Sequence, residues 1–405
     1  MTAPRAQLPL DAPETPSASN AFENHVSARL SVLIEHGLLR DPAITERPAG
    51  THIVIGDASL LHLCSNNYLG LADDDAIRAQ LANAASIWGG AGASRLVSGS
   101  TRPHREAEAA LAAYVQLPDT RVFSSGYAAN VGAISALVGP GDVVFSDALN
   151  HASLIDGCRL SRAQVVIYPH GDMATLGRLL AQHRPSVRAA LIVSDAIFSM
   201  DGDAAPIREL RALADRHGAG LLIDEAHTLG VIGNDGSGLC AMLGVRPDVL
   251  TGMLGKSFGS AGAFVASSVD GCRLLESTAR SYVFSTAMHP AIAAIIPYLV
   301  ERLRGARQAR AQLRQHIRTL AQAIAHPLPD NDLFLSPILP LIIGENAAAL
   351  AVAQNLRDQG IFIRAIRPPT VPVNTARLRI VPIATHTPQD IARAALALAQ
   401  QAHHD

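Results

Sequence analysis

The chain has 405 residues, enough for two or three structural units, and is 48% apolar but only 4% aromatic, so its core must be built from Ala, Leu, Val and Ile. Lys plus Arg number 33 and Asp plus Glu 35, a near balance that argues against a nucleic-acid binder with its usual basic excess. The four cysteines, Cys64, Cys158, Cys240 and Cys272, form no CxxC pair; their spacing fits neither a zinc site nor a disulfide framework and is consistent with a reducing cytoplasm.

In chain order, Met1–Asn20 carries four prolines and no apolar core. It reads as a flexible tail rather than a secretory signal, and residues 1–60 are expected to hold this tail and a helical segment. No apolar run reaches the ~18 residues of a membrane helix. Beyond residue 60, short β-rich runs alternate with Ala/Leu-rich helical stretches. Thr120–Phe123 precedes Gly126–Leu137, and Asp142–Ser146 precedes His151–Leu160. Gln164–Tyr168 precedes Met173–His183, and Ala189–Ser194 precedes Pro206–His217. Gly220–Ile223, Val249–Leu254 and Ala263–Ser267 follow. Such alternation predicts an α/β chain with crossover units and a mostly parallel central sheet, here a large domain over 61–290. Ligands gather beyond the carboxyl ends of such strands. From Pro290 the pattern changes. One long helix is expected to Ala325, then strands at Ser336–Ile343, Ile361–Ile366 and Arg377–Pro382, with helices at Asn346–Gln359 and Pro388–Gln401. Residues 291–405 therefore read as the connecting helix and a smaller α+β domain.

Three motifs fail on inspection. Gly255-Lys256-Ser257 resembles the end of a phosphate-binding loop, but position 250 is Leu where a glycine is required. Gly90-Ala91-Gly92 begins like a dinucleotide fingerprint, but position 95 is Arg. The 16 histidines include no HExxH, and no metal is expected.

Two strand tips carry the chemistry. The apolar run Leu221-Leu222-Ile223 delivers Asp224 to its end, followed by Glu225-Ala226-His227. Some thirty residues on, Met253-Leu254-Gly255-Lys256-Ser257-Phe258-Gly259 places a lysine among small residues after another apolar run. Alone, Asp224 reads equally well as a cap or turn residue. Together the pair meets the needs of pyridoxal 5′-phosphate (PLP). A lysine amine must form an imine with the aldehyde and later act as a base. A carboxylate must keep the ring nitrogen protonated, and at ~4 Å with an effective dielectric near 20 that attraction is about 4 kcal/mol.

The order and spacing of several segments resemble the α-oxoamine synthases, PLP enzymes that join an amino acid to an acyl thioester with loss of CO2. The segments are Ser65–Gly70, Gly92–Gly99, Ser125–Asn130, His151–Leu154, Phe198–Asp203, the Asp224 and Lys256 runs, Phe284–Thr286 and Ile366–Pro372. The resemblance spans about Leu63 to His386 and implies fold-type I, aminotransferase-like architecture. It implies that Lys256 carries the cofactor, Asp224 pairs with the ring nitrogen and His151 stacks on the ring. Gly126 and Tyr127 would hold the phosphate at a helix N-terminus. Ser199 and His227 would reach the ring hydroxyl or imine region, near Asp195. Ser285 and Thr286 would reach the phosphate of a neighbouring subunit in a homodimer. Arg40, Asn66 and Thr370 would line the substrate end, and Arg367, directed by the stiff Pro368-Pro369 pair, would clamp the amino-acid carboxylate. Family members carry a hydroxyl residue three positions before the lysine, where this chain has Met253; Ser257 or Thr251 are the available substitutes. Within the family, 92–99 and Arg364–Arg379 most resemble the branch that joins L-alanine to a pimeloyl thioester of coenzyme A (CoA) or acyl carrier protein, in the biotin pathway. Sister branches that use glycine or serine, and a non-catalytic partner subunit, are the alternatives.

Overall fold

The structure is a computed structural model that describes residues 20–40, 42–45, 50–331 and 334–402. The tail expected over Met1–Asn20 lies outside these residues except for Asn20, which caps a helix at Ala21–Glu35. A hairpin follows, His52–Ile55 (β1) and Ala58–His62 (β2), with Gly56-Asp57 as its two-residue turn. Gly56 has φ +60°, the left-handed conformation such turns demand.

Seven strands form the main sheet: Asp119–Phe123 (β3), Val143–Asp147 (β4), Gln164–Tyr168 (β5), Ala190–Asp195 (β6), Gly220–Asp224 (β7), Val249–Met253 (β8) and Ala263–Ser267 (β9). Their order is β3-β9-β8-β7-β6-β4-β5. β9 runs antiparallel to both β3 and β8; the other pairings are parallel. The central strands are apolar on both faces because helices cover both sides. Alternation along β7 sends Leu221 and Ile223 into one core and Leu222 into the other. Each such buried side chain stabilises the fold by about 1.5–3 kcal/mol. The parallel arrangement brings the carboxyl tips of β3, β4, β6, β7 and β8 to one edge.

Two expectations need correction beyond residue 290. The single long helix is two, Pro290–Gly305 and Arg307–Ala323. Arg310, 1% exposed, explains the break. Its guanidinium donates to the carbonyls of Leu303 (2.6 Å) and Arg304 (3.1 Å), satisfying helix-end acceptors that would otherwise stay unpaired. The strand expected over Ile361–Ile366 is also two pieces. Ile361–Phe362 (β11) pairs with β2, whereas Ala365–Ile366 (β12) pairs with Ala376–Ile380 (β13), which also pairs with Leu339–Gly344 (β10). The N-terminal hairpin and the C-terminal unit therefore share the sheet β1-β2-β11.

Candidate active site

The shared edge of the main sheet opens on a cavity of about 430 Å³. Lys256 stands in the tight turn after β8, which closes through Gly259 N–H on the Lys256 carbonyl and Ser260 N–H on that of Leu254, both 2.9 Å. Gly259 has φ +66°, and a Cβ there would collide with the Ala72 backbone, so glycine alone suits the position. Lys256 Nζ lies 2.8 Å from His227 Nε2. Burial pushes the Lys256 amine down to about 8, while the Asp224 and Asp195 carboxylates oppose the fall.

Asp224, 3% exposed, ends β7. One of its oxygens accepts from Asn130 Nδ2 at 2.7 Å and the other from Ala226 N–H at 2.9 Å. Asp195 stands opposite it in the ladder at the tip of β6 and accepts from His151 N–H at 2.7 Å. Burial first, then the neighbouring Asp224 charge, raises the Asp195 carboxyl well above the usual range. His151 caps the helix Ala152–Ser161 through its Nδ1, which is 2.7 Å from Ser153 Oγ; burial lowers its pKa, with Asp224 opposing. His227 is pushed well below its ordinary value by burial, then by Lys256 and Arg379.

Gly126 and Tyr127 open the helix Gly126–Leu137, which Ser125 caps by accepting from Ala128 N–H at 3.2 Å. The first N–H groups of such a helix have no acceptor within it, and these two residues line the cavity. The Tyr127 phenol turns aside to Asp156. Met253 also lines the cavity, and its sulfur fills the space a Gly126 Cβ would need.

The cavity therefore gathers Lys256, Asp224, His227, His151, Gly126, Tyr127 and Asn66. The remaining expected residues do not line it. The Ser199 carbonyl accepts from Arg379 Nε at 2.5 Å. Ser285 and Thr286 lie away from it. Thr286 bridges Ser94 beside an exposed apolar group of Leu96 (54%), Val97 (80%) and Phe284 (72%). Arg40, Arg367 and Thr370 gather elsewhere. Arg40 donates to Thr370 Oγ1 at 3.0 Å, and Arg367 donates to the carbonyls of Gly37 and Leu39.

The residues that escaped the sequence reading are Arg379, Tyr68 and Asn130. Arg379, 7% exposed on β13, donates through Nη1 to Asn66 Oδ1 at 3.0 Å and lies within electrostatic reach of Lys256 and His227. Tyr68, 0% exposed, has its Oη 2.5 Å from His227 Nδ1 and 3.1 Å from Asn66 Oδ1. The one available signal for Arg379 was the alternation Arg377-Leu378-Arg379-Ile380, which puts two arginines on one face of a strand.

Comparison with known proteins shows the family and the fold. The profile of the family described as aminotransferase class I and II matches residues 58–398. A protein of Anaeromyxobacter dehalogenans named 8-amino-7-oxononanoate synthase is 46% identical over 364 residues, 89% of this chain and 91% of that protein. Its namesake in Geobacter sulfurreducens is 43% identical over 381 residues, 93% of this chain and 97% of that one. Among solved structures, serine palmitoyltransferase of Sphingomonas wittichii superposes with TM-score 0.86 at 30% identity, covering 95% of this chain and 98% of that one. 8-Amino-7-oxononanoate synthase of Francisella tularensis superposes with TM-score 0.72 at 26% identity, covering 84% and 97%.

Proposed function

The chain belongs to the class I and II aminotransferase family, and from that premise we propose that it is a PLP-dependent acyltransferase of the α-oxoamine synthase group. It condenses L-alanine with a pimeloyl thioester of CoA or acyl carrier protein, releasing CO2, the free thiol and 8-amino-7-oxononanoate, in biotin biosynthesis. The observation that carries the reading is the Lys256 amine, pushed to about 8, facing the cavity between His227 and the paired carboxylates Asp224 and Asp195.

The residues present fit the cofactor. Asp224 supplies the carboxylate for the ring nitrogen, and the N–H groups of Gly126 and Tyr127 supply a phosphate cradle at a helix N-terminus. Bound PLP supplies an electron sink for the amino-acid Cα. Lys256 would hold the cofactor through its side-chain amine; once the alanine amine has taken its place there, the freed Lys256 amine would take the Cα proton of alanine and return one after decarboxylation. An amine near 8 gives up its own proton readily enough to serve as that base around neutral pH. His151 would cover the ring face, and His227 would partner the ring hydroxyl. The alanine carboxylate is assigned to Arg379 with Asn66, in place of Arg367, whose guanidinium is committed to backbone carbonyls. The new C–C bond joins alanine Cα to the acyl carbon as the C–S bond breaks.

The enzyme is a homodimer in this reading, with the exposed Leu96, Val97 and Phe284 group covered by the partner and Thr286 carried to the partner's phosphate. The unpaired cysteines fit a cytoplasmic setting. Among the described residues no helix is long and apolar enough to cross a membrane.

The test is direct. The protein with PLP should show a visible absorbance band that borohydride bleaches, and Lys256→Ala should lose both band and turnover while remaining folded. Full activity in that variant sinks the reading. L-Alanine should beat glycine in kcat/KM by roughly 10–200-fold at most, the worth of one methyl in an apolar pocket. A serine preference would move the chain to the branch of its serine palmitoyltransferase neighbours.

A further inference from the structure

Five side chains form one continuous hydrogen-bonded line: Arg379 Nη1 to Asn66 Oδ1 (3.0 Å), Asn66 Oδ1 to Tyr68 Oη (3.1 Å), Tyr68 Oη to His227 Nδ1 (2.5 Å) and His227 Nε2 to Lys256 Nζ (2.8 Å). Its direction is set from one end. A guanidinium can only donate, so the Asn66 atom facing it is the amide oxygen, which can only accept. Tyr68 must then spend its single proton on Asn66. The Tyr68 oxygen is left as an acceptor for His227, so the ring proton sits on Nδ1. His227 Nε2 is left with its lone pair, and Lys256 must be the donor.

We propose that Tyr68 is a positioning residue that locks His227 in the Nδ1–H tautomer, keeping the Nε2 lone pair aimed at the Lys256 amine and thereby setting that amine's proton affinity. The proposal rests on Lys256 as the reactive amine, as read above. Three features of the site support it. Tyr68 is 0% exposed and burial raises its pKa against the opposing charge and hydrogen bond of Arg379, so it keeps the proton the line requires, and its oxygen accepts from the guanidinium as well as from His227. His227, lowered well below its ordinary value, is neutral and so has a tautomer to choose. No other acceptor is described for His227 Nδ1 besides the phenol. The charged and titratable groups facing Lys256 are Asp224 from β7, Asp195 from β6, Arg379 from β13 and His227; His151 feels its charge. The line therefore joins the arginine assigned to the substrate carboxylate with the amine that moves the Cα proton. Arrival of an anion at Arg379 would be felt at Lys256 through oriented hydrogen bonds as well as through space.

The test is Tyr68→Phe, which keeps the ring and removes the oxygen. A buried Nδ1–H would then lack an acceptor, so the ring proton should move to Nε2. An Nε2–H donates to the neutral amine and no longer accepts from the ammonium, so the Lys256 pKa should fall. The shift should be about one unit, the worth of one exchanged hydrogen bond. The readouts are the pH dependence of Lys256 acylation by acetic anhydride in the cofactor-free full chain, followed by mass spectrometry of its peptide, and histidine-selective 15N NMR of the His227 tautomer. Asn66→Leu should produce the same shift through an intact Tyr68, because the freed phenol proton turns to His227. Asn66→Leu also decides the matter if Tyr68→Phe does not fold. Arg379→Lys, another donor-only cation, should keep the parent tautomer. A Lys256 pKa that stays within about 0.3 unit in both Tyr68→Phe and Asn66→Leu, with His227 still Nδ1–H, overturns the proposal. A parent Lys256 that fails to react with PLP would instead overturn the proposed function and leave the titration result standing.

Discussion

Replacing Arg379 with Ala should damage alanine use far more than replacing Arg367. Arg379 is 7% exposed and anchored by Nε on the Ser199 carbonyl and by Nη1 on Asn66 Oδ1. The Tyr68 phenol also hydrogen-bonds this guanidinium, and an incoming carboxylate would replace one of these neutral partners with a charged one. A hydrogen bond to a charged group contributes about 1.5–3 kcal/mol, so Arg379→Ala should lower kcat/KM for L-alanine by roughly 10–150-fold. The KM for the thioester should stay within about twofold, because the lost contact belongs to the amino acid. Arg379→Lys should fall between, keeping the charge and losing the planar fork. Arg367→Ala should change alanine use by less than about threefold, its guanidinium being spent on the Gly37 and Leu39 carbonyls. The assay is initial rate against L-alanine at saturating pimeloyl thioester, with folding checked by thermal melt. A larger loss from Arg367→Ala than from Arg379→Ala would refute the assignment.

Further outcomes follow from the same geometry. In the cofactor-free chain the Lys256 amine titrates near 8, against an ordinary value of 10.5. The folded state thus binds fewer protons than the unfolded state between those values, and stability from this group rises with pH across that window. Lys256→Met should therefore be the more stable protein at pH 7, by on the order of 2–3 kcal/mol, with the gap in urea midpoints narrowing from pH 8 upward. A gap that widens with pH contradicts the shift. Met253→Thr restores a hydroxyl beside Gly126 and should tighten PLP binding by about 5–10-fold in an absorbance titration; weaker binding would show that the sulfur packing matters more than the missing donor. Mixing Lys256→Ala and Thr286→Ala proteins should regain activity through hybrid dimers, provided each alone is impaired. A monomeric active enzyme would contradict the shared site.

The parts of the site that were legible in the sequence are the local ones. Asp224 ends an apolar run, His227 and Lys256 stand just beyond such runs, and a parallel sheet necessarily carries such ends to one edge. The Gly56-Asp57 turn between two apolar runs is equally local. The helix break at Ala306 was hidden because its cause is a side chain, Arg310, that reads as one more helical arginine. Tyr68, Asn66 and Arg379 meet only through tertiary packing, with 313 residues separating the last two. Arg367 drew attention because Pro368-Pro369 stiffens its loop, but a stiff loop fixes a direction without revealing what lies along it. The stronger clue lay twelve residues on, and it is energetic. In a strand whose alternate residues Leu378 and Ile380 are fully buried, an arginine on the opposite face either reaches water or must be paired, because burying a lone charge costs several kcal/mol. Both arginines of β13 are buried, and each has found such partners: Arg377 the side chain of Asp201 and the carbonyl of Met200, Arg379 the carbonyl of Ser199 and the amide of Asn66. Arg377 meets a carboxylate of its own chain. Among the described contacts Arg379 meets neutral partners, the Ser199 carbonyl, the Asn66 amide and the Tyr68 phenol, which is the reason the proposed function gives its charge to the substrate carboxylate.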